Sequence, residues 1–256
     1  PSPPPSPPPV PPASPCSIDG AFTFTGDPDS YLTAVSRTGL VGGGTGFTLS
    51  AWVYRTHTGS SWDRVIDFGS GPDAHNVLLA FQDGMVLEVW HGATRPPRLS
   101  VNSPFPVSTW THVAVVQSRT GDATTGPVTI YWDGVEVAST APMNFPLLVE
   151  HGDGVERRSG LSVGKSHWGD RMFIGSMRDL LIWDIALTTA ELDAVRLGGG
   201  VPTSTAPLVS MMRTWCGAAP PPPPSRPPSP PSRPPSPPSP PSPPTPPPPP
   251  PPPHPP

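Results

Sequence analysis

Between residues 16 and 217 apolar and polar side chains alternate in short runs separated by Gly, Pro and Asx turns, a period of two that belongs to half-buried strands. In residues 47–54 (FTLSAWVY), Phe47, Leu49, Ala51 and Val53 fall on one face. Segments 64–69, 76–82 and 85–91 follow, and Asp83-Gly84 between the last two is a two-residue hairpin signal. The run 110–117 is rich in β-branched residues, and 128–133 and 135–139 flank Asp133-Gly134, a second hairpin signal. Segments 161–165, 173–183 and 208–215 are the late strands, the last returning toward the point of entry. One stretch has a helical period. Thr188, Thr189, Ala190 and Glu191 read as a capping box ahead of Leu192, Val195 and Leu197, with Gly198 as the stop. Many short strands and one short helix predict an all-β sandwich of two packed sheets.

The ends of the chain are a different material. Of 48 prolines, 10 lie in residues 1–15 and 27 in residues 218–256. Such tracts fix φ, lack most backbone donors and carry almost no apolar side chain, so they cannot build a core and are expected to form polyproline II. At ~3.1 Å per residue the second tract would reach roughly 120 Å if straight. Ser236, Ser239, Ser242 and Thr245 recur every third residue, which aligns their hydroxyls along one edge of a three-fold helix. Three regions are therefore expected: a Pro/Ser tract at 1–15, one globular domain at 16–217 and a Pro/Ser tract at 218–256.

A net charge of −4, a single lysine (Lys165) and scattered arginines leave no basic stripe for nucleic acid. No apolar stretch approaches the length of a membrane span. The sequence begins without an initiating Met or a signal peptide and is read as a mature or excised piece of something longer. The two cysteines, Cys16 and Cys216, stand at the edges of the globular region. Free buried thiols, half of a metal site and a disulfide are all open to them. The neighbouring secreted-type tracts favour the disulfide.

Five segments in order, AFTFTGDPDSYLTA (21–34), FTLSAWVY (47–54), WTHVAVV (110–116), IYWDGVEV (130–137) and FIGSMRDLLIWDIALTTAEL (173–192), resemble the concanavalin A-like lectin/glucanase superfamily, and within it laminin-G-like and pentraxin-like domains. The resemblance implies a jelly-roll sandwich of two antiparallel sheets whose termini lie side by side, an adjacency that supports pairing Cys16 with Cys216. The Ser-Pro and poly-Pro tracts resemble hydroxyproline-rich glycoproteins of green-algal and plant walls, including extensins and volvocine pherophorins. That likeness implies prolyl hydroxylation and O-glycosylation, with Ser225, Ser229, Ser232, Ser236, Ser239, Ser242, Thr245 and neighbouring prolines as acceptors.

Members of the superfamily include glycosidases, which need two suitably spaced carboxylates. Segment 85–90 offers one acid, Glu88, and the spaced Glu-x-Asp-x-x-Glu pattern of glucanases is absent, so no catalytic residue is assigned. No cofactor is required on this reading. Laminin-G-like relatives also bind calcium; here Asp27 and Asp29, in a Gly-Asp-Pro-Asp turn, are the candidate ligands, with Asp73 or Asp170 as remote partners, against the simpler reading of ordinary turn residues. Trp52, Trp110, Trp132 and Trp183 sit in strand patterns and read as packed. Trp62 and Trp168 lie in polar loops, the latter among His167, Asp170 and Arg171, and these five are the candidate ligand-binding residues for sugar rings or polyproline.

The expectation is a non-enzymatic extracellular structural glycoprotein of a cell wall or surface fibre. Its rods would self-assemble, and its domain would bind neighbouring rods or their glycans. The alternative is a wall-tethered lectin for an external polysaccharide, with the tracts as spacers.

Overall fold

The computed structural model describes residues 20–33, 44–59, 62–147, 158 and 160–198, together with the backbone of 209 and 210. The strands are β1 (Phe22–Thr25), β2 (Leu32–Thr33), β3 (Gly46–Arg55), β4 (Arg64–Gly69), β5 (Val77–Gln82), β6 (Gly84–Val89), β7 (Arg98–Val101), β8 (Trp110–Ser118), β9 (Thr125–Trp132), β10 (Val135–Asn144), β11 (Gly160–Val163), β12 (Ile174–Trp183) and β13 (Val209–Ser210), with one helix, α1 (Thr189–Arg196). Two antiparallel sheets result. The first has the order β1-β12-β3-β8-β9-β10, with β13 also on β12, and the second β2-β11-β4-β5-β6-β7. This is the two-sheet antiparallel sandwich with one short helix that the alternation predicts, and it is consistent with a jelly roll. Both proline tracts lie outside the described residues.

The period of two places the core. Phe47, Leu49, Ala51 and Val53 of β3 point inward and meet Val77, Leu79 and Phe81 of β5 and Met85, Leu87 and Val89 of β6. At Asp133-Gly134 both residues take positive φ, 49° and 84°, as a two-residue hairpin turn requires. The other hairpin is tighter than the sequence indicates, because Gly84 pairs directly with Gln82 and leaves Asp83 alone outside the ladder, at φ 62°. Gly84 is needed there for space: a Cβ would stand 2.0 Å from the Val101 carbonyl oxygen. Strand β7, preceded by Pro96 and Pro97, has no clear signature in sequence and completes the edge of the second sheet.

The first and last described strands share one neighbour. β1 pairs with residues 174–177 of β12, and β13 with Leu181 and Ile182. The two ends of the domain are thereby brought to the same strand edge. Cys16 and Cys216 themselves lie outside the described residues. Helix α1 opens on the expected capping box, with Thr188 Oγ1 accepting from Glu191 N at 3.3 Å and Glu191 Oε2 accepting from Thr188 N at 2.7 Å. That backbone N–H, with the Thr188 hydroxyl, lowers the Glu191 pKa. Through Leu192, with Val195, the helix packs on Ala114 and Trp183 on the outer face of the first sheet.

A buried ion pair and two buried titratable side chains set this sandwich's sensitivities. Arg55 and Asp63, both fully buried, form a two-pronged ion pair (Nη2 to Oδ1 2.8 Å, Nε to Oδ2 3.2 Å), with the guanidinium 4.6 Å over the ring of Phe81. Removing the carboxylate leaves a charge inside the protein, so Asp63→Ala is expected to destabilise by about 3–5 kcal/mol in urea unfolding. His112 is buried and bonded through Nε2 to Ser50 Oγ at 2.8 Å; burial first, then the Arg196 charge, lowers its pKa from 6.5 to about 4. Between those values the unfolded chain takes up a proton that the folded chain does not, so stability falls as pH drops through the window, by up to about 3 kcal/mol. Asp67, raised by burial above 3.8, acts in the opposite sense. The measurement is therefore the difference between the native chain and His112→Gln in unfolding midpoints from pH 6.5 to 4, where the variant is expected to lose less stability on acidification.

Candidate functional site

On the outer face of the second sheet the residues that alternate with the core carry the polar and aromatic groups. β5 contributes Leu78 and Ala80, and β6 leads to Glu88 and Trp90, opposite Met85, Leu87 and Val89. Leu78, Ala80 and Trp90 form an apolar floor against which Trp62 and Trp168 pack from two separate loops. The three indoles border a cleft of about 480 Å³, which Arg64, Arg95, Arg98, Asp73, Glu88 and Asp170 also line. That volume lies within the range of small-ligand sites.

Trp62 is placed by its backbone. It adopts φ 53°, uncommon for a bulky residue. Its N–H donates to the Phe81 carbonyl at 3.0 Å, and Phe81 N–H returns a bond to Asp63 O at 3.0 Å. The β4–β5 register shifts between Arg64 and Ile66, which turns Arg64 outward under the two indoles. Its guanidinium carbon lies 5.5 Å from the Trp62 ring centre and 5.6 Å from that of Trp168. Arg98 lies 5.0 Å from the other neighbour of this stack, the Trp62 ring, and Trp168 is 5.8 Å from Trp90. From Arg98 through Trp62 and Arg64 to Trp168 cations and indoles thus alternate, and each cation–π contact contributes of order 0.5–2 kcal/mol according to its desolvation.

The loop bearing Trp168 is fixed by carboxylates. Asp67, fully buried, accepts from Asn76 Nδ2 at 2.8 Å and from the His167 backbone N–H at 2.9 Å, with Arg64 Nε at 3.4 Å. Burial nonetheless raises its pKa. Asp170 accepts from Arg64 Nη2 at 2.8 Å and Ser166 Oγ at 2.9 Å, and Ser166 Oγ accepts from Trp168 N at 3.0 Å. Glu88, almost fully buried, accepts from Trp90 Nε1 through Oε2 at 3.1 Å. Its Oε1 is 2.8 Å from Arg98 Nη2 but off the N–H direction, so it is ion-paired without an aligned hydrogen bond.

Of the five residues picked out in sequence as ligand-binding, Trp62, Trp168 and Asp170 line this cleft. His167 and Arg171 do not: the His167 ring packs over Gly160 and bonds its carbonyl at 3.0 Å, and Arg171 is exposed and acts electrostatically on His57. Trp90 and Arg98 were not singled out. Trp90 is legible by its alternation with Leu87 and Val89, whereas Arg98 sits on the strand that the sequence did not announce. Trp132 and Trp183 are buried as expected, but Trp52 and Trp110 are half-buried on the outer face of the first sheet.

The turn carrying Asp27 and Asp29 is organised as a turn. Asp27 Oδ2 accepts from Thr25 Oγ1 at 2.7 Å, and Ser30 N–H donates to Asp27 O at 2.9 Å. Among the described residues no three His, Cys, Asp or Glu side chains group as a cation site, and Asp73 and Asp170 belong to the cleft. These residues do not fit the calcium cage considered for them.

Several solved structures are similar to this chain. A heptameric SAP-like pentraxin from Limulus polyphemus is 18% identical, with 72% of this chain and 86% of that one covered, at a TM-score of 0.48. Domain 4 of AbnA, an extracellular arabinanase from Geobacillus stearothermophilus, solved with arabinotriose, is 22% identical over 69% of this chain and 76% of that one, at a TM-score of 0.49. No curated protein matches in sequence. The family model described as the concanavalin A-like lectin/glucanases superfamily, of laminin G type, matches residues 25–193, spanning every cleft residue, and the chain belongs to that family.

Proposed function

We propose that the domain is a non-enzymatic glycan-binding module, with the Trp62–Trp90–Trp168 cleft as its sugar site. The observation that carries the reading is the convergence of three indoles from three segments beside an ordered set of arginines and carboxylates. A sugar ring offers an apolar C–H face for an indole and a rim of hydroxyls for polar neighbours. Exposed Asp73 supplies an acceptor and exposed Arg95 supplies donors at the rim. Membership of a lectin-bearing family supports the same reading. Glycoside hydrolysis needs one carboxyl free to give a proton and a second free to attack or to activate water. In this cleft Glu88 is engaged by Arg98 and Asp170 by Arg64, which favours binding over catalysis.

In the whole chain this module is the node of an extracellular structural glycoprotein. Residues 1–15 and 218–256 are polyproline II rods, hydroxylated and O-glycosylated on the Ser225–Thr245 acceptors, and the cleft holds glycans carried by rods of neighbouring chains in a wall or surface fibre. A Cys16–Cys216 disulfide closes the domain between the rods, in keeping with the β1 and β13 placements on β12.

The test is titration of the full chain with its own native glycosylated tract and with foreign polysaccharides. Saturable binding is expected, weakened roughly tenfold or more in Trp62→Ala and Trp168→Ala and unchanged by EDTA. Preference for the native tract supports the fibre node, and preference for a foreign glycan makes the tracts spacers. Affinity that neither substitution alters, or hydrolysis of the bound glycan that Glu88→Gln abolishes, overturns the reading.

A further inference from the structure

The charges of the second-sheet cleft are already matched to one another. Its lining carries guanidiniums and carboxylates in equal number, those of Arg64, Arg95 and Arg98 against Asp73, Glu88 and Asp170. The two inner arginines are committed. Arg64 Nη2 donates to Asp170 Oδ2 at 2.8 Å and its Nε to Asp67 Oδ2 at 3.4 Å, and Arg98 Nη2 stands 2.8 Å from Glu88 Oε1. The exposed rim holds one charge of each sign, Arg95 and Asp73. Stacking on indoles does not by itself demand such pairing in this domain. On the outer face of the first sheet the Arg178 guanidinium carbon lies 5.3 Å from the Trp52 ring centre and 5.1 Å from that of Trp110, and no carboxylate pairs with it among the described residues.

We infer that the cleft, on whose reading as a sugar site this depends, selects uncharged saccharides and rejects glycans that carry carboxylate or sulfate groups. A guanidinium bonded to a carboxylate must give that partner up before it can take a ligand's anion, and the displaced carboxylate is left without its cation. For Glu88, almost fully buried, the exchange would strand a charge inside the protein. The ligand's own charge would also stand beside Asp73, Glu88 and Asp170 and against indole faces, whose π-clouds are negative. Arg95 alone stands outside the inner pairs, and at an exposed position its attraction is weak and screened by salt. An uncharged sugar meets none of these costs. Its C–H face is drawn to the same indoles, and its hydroxyls both donate and accept, so they can use Asp73 and Arg95 together without changing the net charge of the site.

The test titrates the full chain with neutral polysaccharides (galactan, arabinan, mannan and β-glucan) and with anionic ones (polygalacturonate, alginate and sulfated galactan). Polygalacturonate is also used fully methyl-esterified and sulfated galactan desulfated, so that within each pair charge is the difference, and the native glycosylated tract is read by its salt dependence. Affinities are measured at about 0.01 and about 1 M NaCl, between which the Debye length falls from roughly 30 Å to 3 Å. The strongest ligand is expected to be uncharged and to change less than about twofold with salt, and in any matched pair that binds the uncharged member is expected to be held roughly tenfold more tightly. An anionic strongest ligand, affinity that falls steeply with salt, or a charged member held as tightly as its neutral partner overturns the inference; where Trp62→Ala or Trp168→Ala weakens that same binding, the glycan reading stands. Absence of saturable binding to every probe, or affinities that neither substitution alters, overturns the glycan reading and this inference with it.

Discussion

The carboxylate of Asp67 sits beneath the cleft with no access to water, and the site is built on what that burial demands. A buried carboxylate must be surrounded by donors. Two of its donors are near in the chain, the side chains of Arg64 and of Asn76 at the head of β5, and the third, the backbone of His167, comes from 100 residues away. Satisfying Asp67 therefore fixes the loop that carries Trp168 and Asp170, and it helps hold Arg64 where two indoles flank it. Asp63 does the same one turn of chain earlier: its pair with Arg55 anchors the segment in which Trp62 takes a left-handed backbone. Burial raising the Asp67 pKa shows that the surrounding donors offset desolvation only in part. Such a site is held by mutual dependence of its members rather than by any single strong bond.

The two outer faces solve the same packing problem with opposite chemistry. Both expose strand positions that alternate with the core, and both stack arginine on tryptophan. On the second sheet each stacked guanidinium has a carboxylate, and a carboxylate oxygen is left without an aligned donor. On the first sheet the buried Nε of Arg178 has no acceptor among the described residues.

Much of the fold was legible because its signals are local. Period-two alternation located β3 to β6, β8, β9 and β12 to within a few residues, the Asp133-Gly134 pair located a hairpin, and the Thr188–Glu191 spacing located the helix. The misses have equally local causes. β7 is four residues long and follows two prolines, so it lacks the alternating run that would mark it, and Arg98 was missed with it. Trp62 and Trp168 were legible because an indole in a polar loop is costly without a contact. Trp52 and Trp110 read as packed, yet they occupy the face opposite Phe47, Leu49 and Ala51, where one sequence cannot say whether helix, ligand or water covers a ring.

The sequence by itself determined the alternation, the turns, the proline-rich composition of the ends and the residue types available for sugar or polyproline contact. These follow from backbone stereochemistry and from side-chain polarity, which act over a few residues. Only the tertiary structure decided that Trp62, Trp90 and Trp168 share one cleft while His167 and Arg171 turn away, and that Arg64 and Arg98 find carboxylates while Arg178 finds none among the described residues. Pairings between residues about a hundred positions apart, as between Arg64 and Asp170, depend on sheet register and on which charges burial forces together, and neither is written in the local pattern.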